Sequence, residues 1–126
     1  MMATVEVTDN NFREIVERDG IVILDFWAEW CGACRSFAPV YEAASEKHSD
    51  VVFGKVDADA ATRLSISTGI RALPTVAVYR DSIRVFFQAG ALPKPALEDL
   101  IGQVRALDMD RVRAELDAHG SGHVHS

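Results

Sequence analysis

Residues 26–39, FWAEWCGACRSFAP, hold both cysteines of the chain, Cys31 and Cys34, three positions apart. What lies on either side of them changes period abruptly. Upstream, IVILDFWA (residues 21–28) is apolar on both faces except at Asp25, the mark of a central strand covered on both sides. One carboxylate is therefore expected to be buried. Downstream, Phe37, Val40, Tyr41 and Ala44 recur at helical spacing as far as about Lys47, with Pro39 expected to kink that helix. The cysteines thus stand where a buried strand hands over to a helix.

Working outward, VVFGKVD (residues 51–57) is a second strand-like run, and residues 58–68 suit a short helix closed by Gly69. Pro74 then introduces the strand TVAVY (residues 75–79). Asp81 and Ser82 make a turn into a partner strand over residues 83–88, which completes a hairpin. From Pro95 to about Leu107 a helix carries Leu97, Leu100, Ile101 and Val104 on one face. Toward the N-terminus, Val5 and Val7 alternate with Thr4 and Glu6 as in an edge strand. Thr8 or Asp9 can cap the helix that follows, whose apolar face is Phe12, Ile15 and Val16 and whose end suits Gly20. The order β-α-β-α-β-α-β-β-α specifies an α/β fold, a mixed central sheet with helices on both faces.

Past that unit, Asp108 can cap one more helix with Met109, Val112 and Leu116 as its stripe and Gly120 at its end. This stripe points about a quarter turn away from the preceding helix's face, so a break near Asp108 is expected rather than one long helix. The small, polar, histidine-bearing tail HGSGHVHS is expected to be mobile.

A chain of 126 residues fits one domain whose core needs no disulfide staples. Its net charge of −6 excludes nucleic acid and anionic membrane surfaces as main partners, because both require a basic patch. The segment MMATVEVTDNNF has neither a basic leader nor an apolar run of signal length, and no segment reaches the length of a membrane span, which points to the cytoplasm. In a reducing compartment a close cysteine pair is redox-active or metal-binding more often than structural. A zinc site would have to recruit His119 and His123 from far along the chain, whereas compact zinc motifs keep their ligand pairs close. A structural disulfide closing so short a loop would constrain the unfolded chain little.

The stretch DFWAEWCGAC, the later ALPT and the QAGAL after the hairpin together resemble the thioredoxin family in motif, order and spacing, over about residues 4–106. The resemblance implies the thioredoxin fold with an extra C-terminal helix, divided into a domain of residues 1–107 and an extension of residues 108–126. It implies a monomeric protein-disulfide reductase that binds no cofactor or metal and is recycled by a thioredoxin reductase, which carries the cofactor. Cys31, at the first turn of a helix, would attack a substrate disulfide and Cys34 would resolve the mixed disulfide. The resemblance gives Asp25 the role of accepting the Cys34 proton through a water, and Lys55 that of tuning Asp25. A hydrogen-bonding role for Asp25 and a plain surface lysine at 55 are the alternatives. Pro74 would be a cis-proline facing the cysteines, a trans loop proline being the alternative. The backbone of Leu73 would pair with an extended substrate, and Trp30, Gly32, Ala33, Leu73, Gly90 and Ala91 would line the docking surface. Trp27 reads as core packing.

Where the family usually has proline between the cysteines, this chain has Ala33. An N–H there can point at the Cys31 sulfur, which would make the pair less reducing by about 30 mV. An oxidising or isomerising dithiol protein and a non-enzymatic adaptor binding through its surface and C-terminal helix are the competing functions.

Overall fold

The computed structural model describes residues 3–123, with side chains as far as residue 118. Five strands, β1 (Thr4–Glu6), β2 (Ile21–Trp27), β3 (Val51–Asp57), β4 (Thr75–Arg80) and β5 (Ile83–Ala89), form one sheet in the order β1-β3-β2-β4-β5. β1 and β2 run parallel to β3, whereas β4 is antiparallel to both β2 and β5. The helices are α1 (Phe12–Val16), α2 (Gly32–Lys47), α3 (Thr62–Thr68), α4 (Lys94–Arg105) and α5 (Met109–His123). This is the expected mixed sheet, with a C-terminal helix added.

The two-residue period of β2 distributes its side chains between two cores. Ile21 and Ile23 join Phe37 and Tyr41 of α2 and Leu97 and Ile101 of α4 on one face. Val22, Leu24 and Phe26 join Val16 of α1 and Leu64 of α3 on the other. Asp25 shares the parity of Ile21 and Ile23, so the one polar residue of β2 falls on the face that α2 covers. Tyr41 on that face has partners, its hydroxyl lying 2.7 Å from the Gly54 carbonyl and 3.0 Å from that of Ile23. On the opposite face β3 passes so close to its neighbours that a Cβ at Gly54 would lie 2.6 Å from Val7 Cγ2, which requires glycine there.

Several boundaries differ from the pattern reading. α3 begins at Thr62 rather than 58, because the Asp57 carbonyl and carboxylate accept from Ala61 N–H (2.8 Å) and Asp59 N–H (3.0 Å) and hold residues 58–60 as a turn. α1 stops at Val16. Gly20, at φ +91°, instead turns the chain into β2 and donates its N–H to Asp81 Oδ1 at 2.8 Å. α2 is continuous through Pro39. The hairpin turn is at Asp81 and Ser82 as expected, both with positive φ (52° and 71°). α3 closes at Gly69 as expected, in the left-handed conformation.

The break before α5 is also as expected. α4 ends at Arg105, its last carbonyls accept from Arg80, with the Val104 oxygen 2.6 Å from Arg80 Nη1, and Asp108 Oδ1 accepts the Arg111 N–H at 3.2 Å to start α5. Met109 is buried and Val112 half-buried, while Leu116 is 48% exposed, so the stripe loses contact with the body along its length. Gly120 does not end α5, which runs to His123. Of the tail expected to be mobile, residues 124–126 lie outside those described.

Candidate active site

β2 delivers the chain to the C-terminal end of the sheet, a tight turn in which Cys31 N–H donates to the Ala28 carbonyl (3.1 Å) reverses it, and α2 begins. Cys31 is the N-cap of α2, with extended φ and ψ of −89° and 111°, and its Sγ accepts the Cys34 N–H at 3.2 Å. A sulfur therefore occupies the place usually taken by a capping oxygen, facing the unpaired N–H groups and the positive end of the helix dipole. Cys34, one turn on, closes a disulfide with it, the Cα atoms being 5.2 Å apart. Exposure does not separate the two cysteines in this oxidised form, at 6% and 4%. Helix position does.

The donor to Cys31 Sγ is thus Cys34 rather than Ala33, which is exposed in the first turn beside Gly32. Replacing Ala33 by proline leaves that donor in place. Ala33→Pro is then expected to move the reduction potential by less than about 30 mV, the change that a complete charge-assisted hydrogen bond would give. Equilibration against a reference dithiol couple measures this, and a larger move to negative potential would show the Ala33 N–H acting on the reduced sulfur.

Asp25, on β2 upstream of this turn, is 1% exposed, with Oδ1 lacking any hydrogen-bond partner among the described residues. Burial pushes its pKa up to about 7, against the opposing pull of the Lys55 ammonium. Lys55 is its register partner on β3, and lies 3.9 Å from Glu42 and 5.2 Å above the ring of Trp27. Trp27, read from sequence as packing against the core, does so together with Leu73 on the buried cluster of Ala28, Cys31 and Cys34. Together with Cys34, Lys55 and Arg35 it lines a cavity of about 290 Å³, roomy enough for water.

Beside the disulfide, where Leu73 packs, the Leu73–Pro74 peptide is cis, as the resemblance implies. Gly90, at φ +108°, donates its N–H to the Pro74 carbonyl at 2.7 Å and ties this loop to the end of β5. Trp30 is 68% exposed, and its Nε1 donates to Asp59 Oδ2 at 2.9 Å. A groove of about 280 Å³ runs from Trp30 past Asp59, Ile66 and Arg71 to Leu73. Gly90 and Ala91 are exposed but do not line it. Asp59, Ile66 and Arg71 were absent from the sequence reading. Only the 74% exposure of Ile66, an apolar residue on the outer side of α3, marks it out, and that is invisible without the fold.

Among the described residues no group of three or more His, Cys, Asp and Glu side chains is placed to hold a metal, and no helix is long and apolar enough to cross a membrane. The side chains of His119 and His123 lie outside those described.

The thioredoxin family model matches residues 3–103. A Streptomyces coelicolor protein provisionally called thioredoxin 2 is 52% identical over 113 residues, covering 90% of this chain and 84% of that one. The thioredoxin of Coprinus comatus is 43% identical over 101 residues, 77% of this chain and 94% of its own. Among solved structures, the thioredoxin of Malassezia sympodialis superposes with a TM-score of 0.76 at 30% identity, covering 84% of this chain and 94% of that one. Thioredoxin f of spinach chloroplast gives 0.76 at 32%, with 83% and 96% covered. In sequence, in fold and in its cysteine pair at the head of α2, the chain belongs to the thioredoxin family, protein-disulfide oxidoreductases whose redox group is the protein's own disulfide, here Cys31–Cys34.

Proposed function

We propose that Cys31 is the attacking sulfur and Cys34 the resolving one. In the reduced protein the Cys31 thiolate attacks a substrate disulfide, forming a Cys31–substrate disulfide and expelling one substrate thiolate. Cys34 then gives up its proton and attacks Cys31 Sγ, forming the intramolecular disulfide and expelling the second substrate thiolate. Two electrons pass from the cysteine pair to the substrate. The end state has the connectivity seen here, and a reductase returns it to the dithiol.

The observation carrying this reading is the sulfur of Cys31 at the N-cap of α2, where it accepts the Cys34 N–H. With a pKa of about 7, Asp25 is present in both protonation states at neutral pH, which suits a group that takes the Cys34 proton and later returns it. Water in the cavity beside Cys34 is the carrier, and Lys55 sets how readily Asp25 ionises. Pro74 fixes Leu73 so that an extended substrate adds along its backbone. Trp30, Gly32, Ala33, Gly90 and Ala91 form the surrounding surface. The protein acts as a monomer in the cytoplasm.

Insulin disulfide reduction, driven first by dithiothreitol and then by a thioredoxin reductase, tests the function. Turnover in both is expected, and precipitation no faster than with dithiothreitol alone would refute it.

We also take residues 1–107 as the catalytic domain and residues 108–126 as an accessory extension, since every proposed site residue falls in the first. A chain ending at residue 107 is expected to keep insulin turnover within about twofold. It should lose about 1–3 kcal/mol of stability, chiefly from uncovering the surface that Met109 and Val112 bury. Loss of folding on truncation would place α5 within the core and overturn this boundary.

A further inference from the structure

We propose that Arg71 is a specificity residue that favours substrate disulfides flanked by acidic side chains, a reading that rests on the disulfide-reductase function proposed above.

The groove beside the disulfide has apolar lips, Trp30 and Ile66, which are the two most exposed large hydrophobic residues among those described. They accept an apolar side chain of any substrate and discriminate little. Two charged side chains line the groove, Asp59 and Arg71. The Asp59 carboxylate is engaged by Trp30 Nε1 at 2.9 Å, so it is partly satisfied within the protein. Arg71 is exposed and makes no hydrogen bond or ion pair among the described residues.

The other cations near the site are engaged. Arg35 donates to the Glu29 carbonyl at 2.8 Å, Arg63 lies 3.7 Å from Asp9, and Lys55 lies 3.9 Å from Glu42. A guanidinium without a partner in a groove is a donor fork free for an incoming carboxylate.

Its place along the chain fixes which substrate position it meets. Arg71 precedes Leu73 by two residues, and Leu73 packs against the cluster that contains both cysteines. Two residues span at most about 7 Å, and the bend at residues 72–74 keeps Arg71 within that distance of Leu73. A substrate strand laid along Leu73 with its cysteine at Cys31 therefore carries a residue about two positions from that cysteine within reach of the guanidinium. The whole chain, at −6, repels acidic partners at long range. Arg71 supplies a local attraction of the opposite sign at the point where the disulfide must dock.

The test uses the full chain with two disulfide-linked peptide dimers that differ only in carrying Asp or Lys two residues on either side of the cysteine, with dithiothreitol regenerating the enzyme. The readout is the ratio of kcat/KM for the acidic over the basic peptide. Wild type is expected to give a ratio of about three to five, the upper range for one exposed ion pair, shrinking toward one at high salt. Arg71→Lys should keep a preference for the acidic peptide, Arg71→Ala should bring the ratio to one or below, and Arg71→Glu should invert it. Equal ratios in wild type and Arg71→Glu would overturn the proposal. Wild type reducing neither peptide would instead refute the reductase reading, and the proposal with it.

Discussion

Asparagine in place of Asp25 makes the protein more stable above neutral pH and slower to resolve its mixed disulfide. The stability effect follows from the raised pKa. Well below about pH 4 the carboxyl is protonated in both the folded and the unfolded chain, and burying it is tolerated. As pH rises from about 4 to about 7 the unfolded chain releases this proton while the folded protein holds it, so stability falls throughout that window. A displacement from 3.8 to about 7 corresponds to roughly 4 kcal/mol lost by pH 8. The Asp25→Asn variant has no proton to lose at this position and escapes the decline. Denaturant melts of the two proteins should therefore diverge as pH rises from 4 to 7 and run parallel beyond it, with the variant ahead by about 2–4 kcal/mol at pH 8. Parallel curves across the whole range would mean that Asp25 ionises normally. In single-turnover experiments the variant's mixed disulfide should decay about 100-fold more slowly at pH 7, the usual contribution of one positioned base. An unchanged decay would leave Asp25 with a structural role only.

Removing the sulfur of Cys31 has a still larger effect on turnover. Cys31→Ser should reduce insulin at the rate of dithiothreitol alone, because a serine hydroxyl at the N-cap is neither ionised at neutral pH nor able to form a mixed disulfide. Ser is also a good capping residue, so α2 should keep its start and the variant should remain folded. Cys34→Ser behaves differently. It should take up one substrate sulfur and stop, leaving a mixed disulfide at Cys31 that mass spectrometry detects and dithiothreitol releases. A covalent adduct formed by Cys31→Ser through Cys34 would reverse the two roles.

Periodicity made the sheet and most of the helices legible, because each strand of the centre is covered on both faces and each helix buries one stripe. Asp25 stood out for the same reason, as the one interruption of an otherwise apolar strand. The ends were harder to read. α1 and α3 are short and their limits are decided by side-chain contacts, as with Asp57 at the start of α3 and Asp81 beside Gly20. The continuation of α5 through Gly120 runs against local propensity, which disfavours glycine inside a helix. The cysteine pair and Pro74 were recognisable from motif and spacing. Trp27 packs against a core cluster as its pattern implied, but that this cluster contains the disulfide was not legible from the strand alone. Ile66 and Arg71 could not have been found, since the groove they line is assembled from the β2–α2 turn, the outer side of α3 and the loop before β4.

The strand order places β2 at the middle of the sheet, paired along its length with β3 on one side and β4 on the other. Its backbone amides point alternately to β3 and β4 beneath packed helices, so freeing any of them means opening a central pairing and with it the sheet. Protons on Val22 to Asp25 should therefore exchange at the rate set by global unfolding, whereas the three-residue edge strand β1 and the outer side of β5 should exchange through local fraying. Cys31 is tethered four residues past the end of β2, the strand that holds that slowest-exchanging segment. The part of the protein that must open and close its bond in every cycle is thus carried by the part that opens least often.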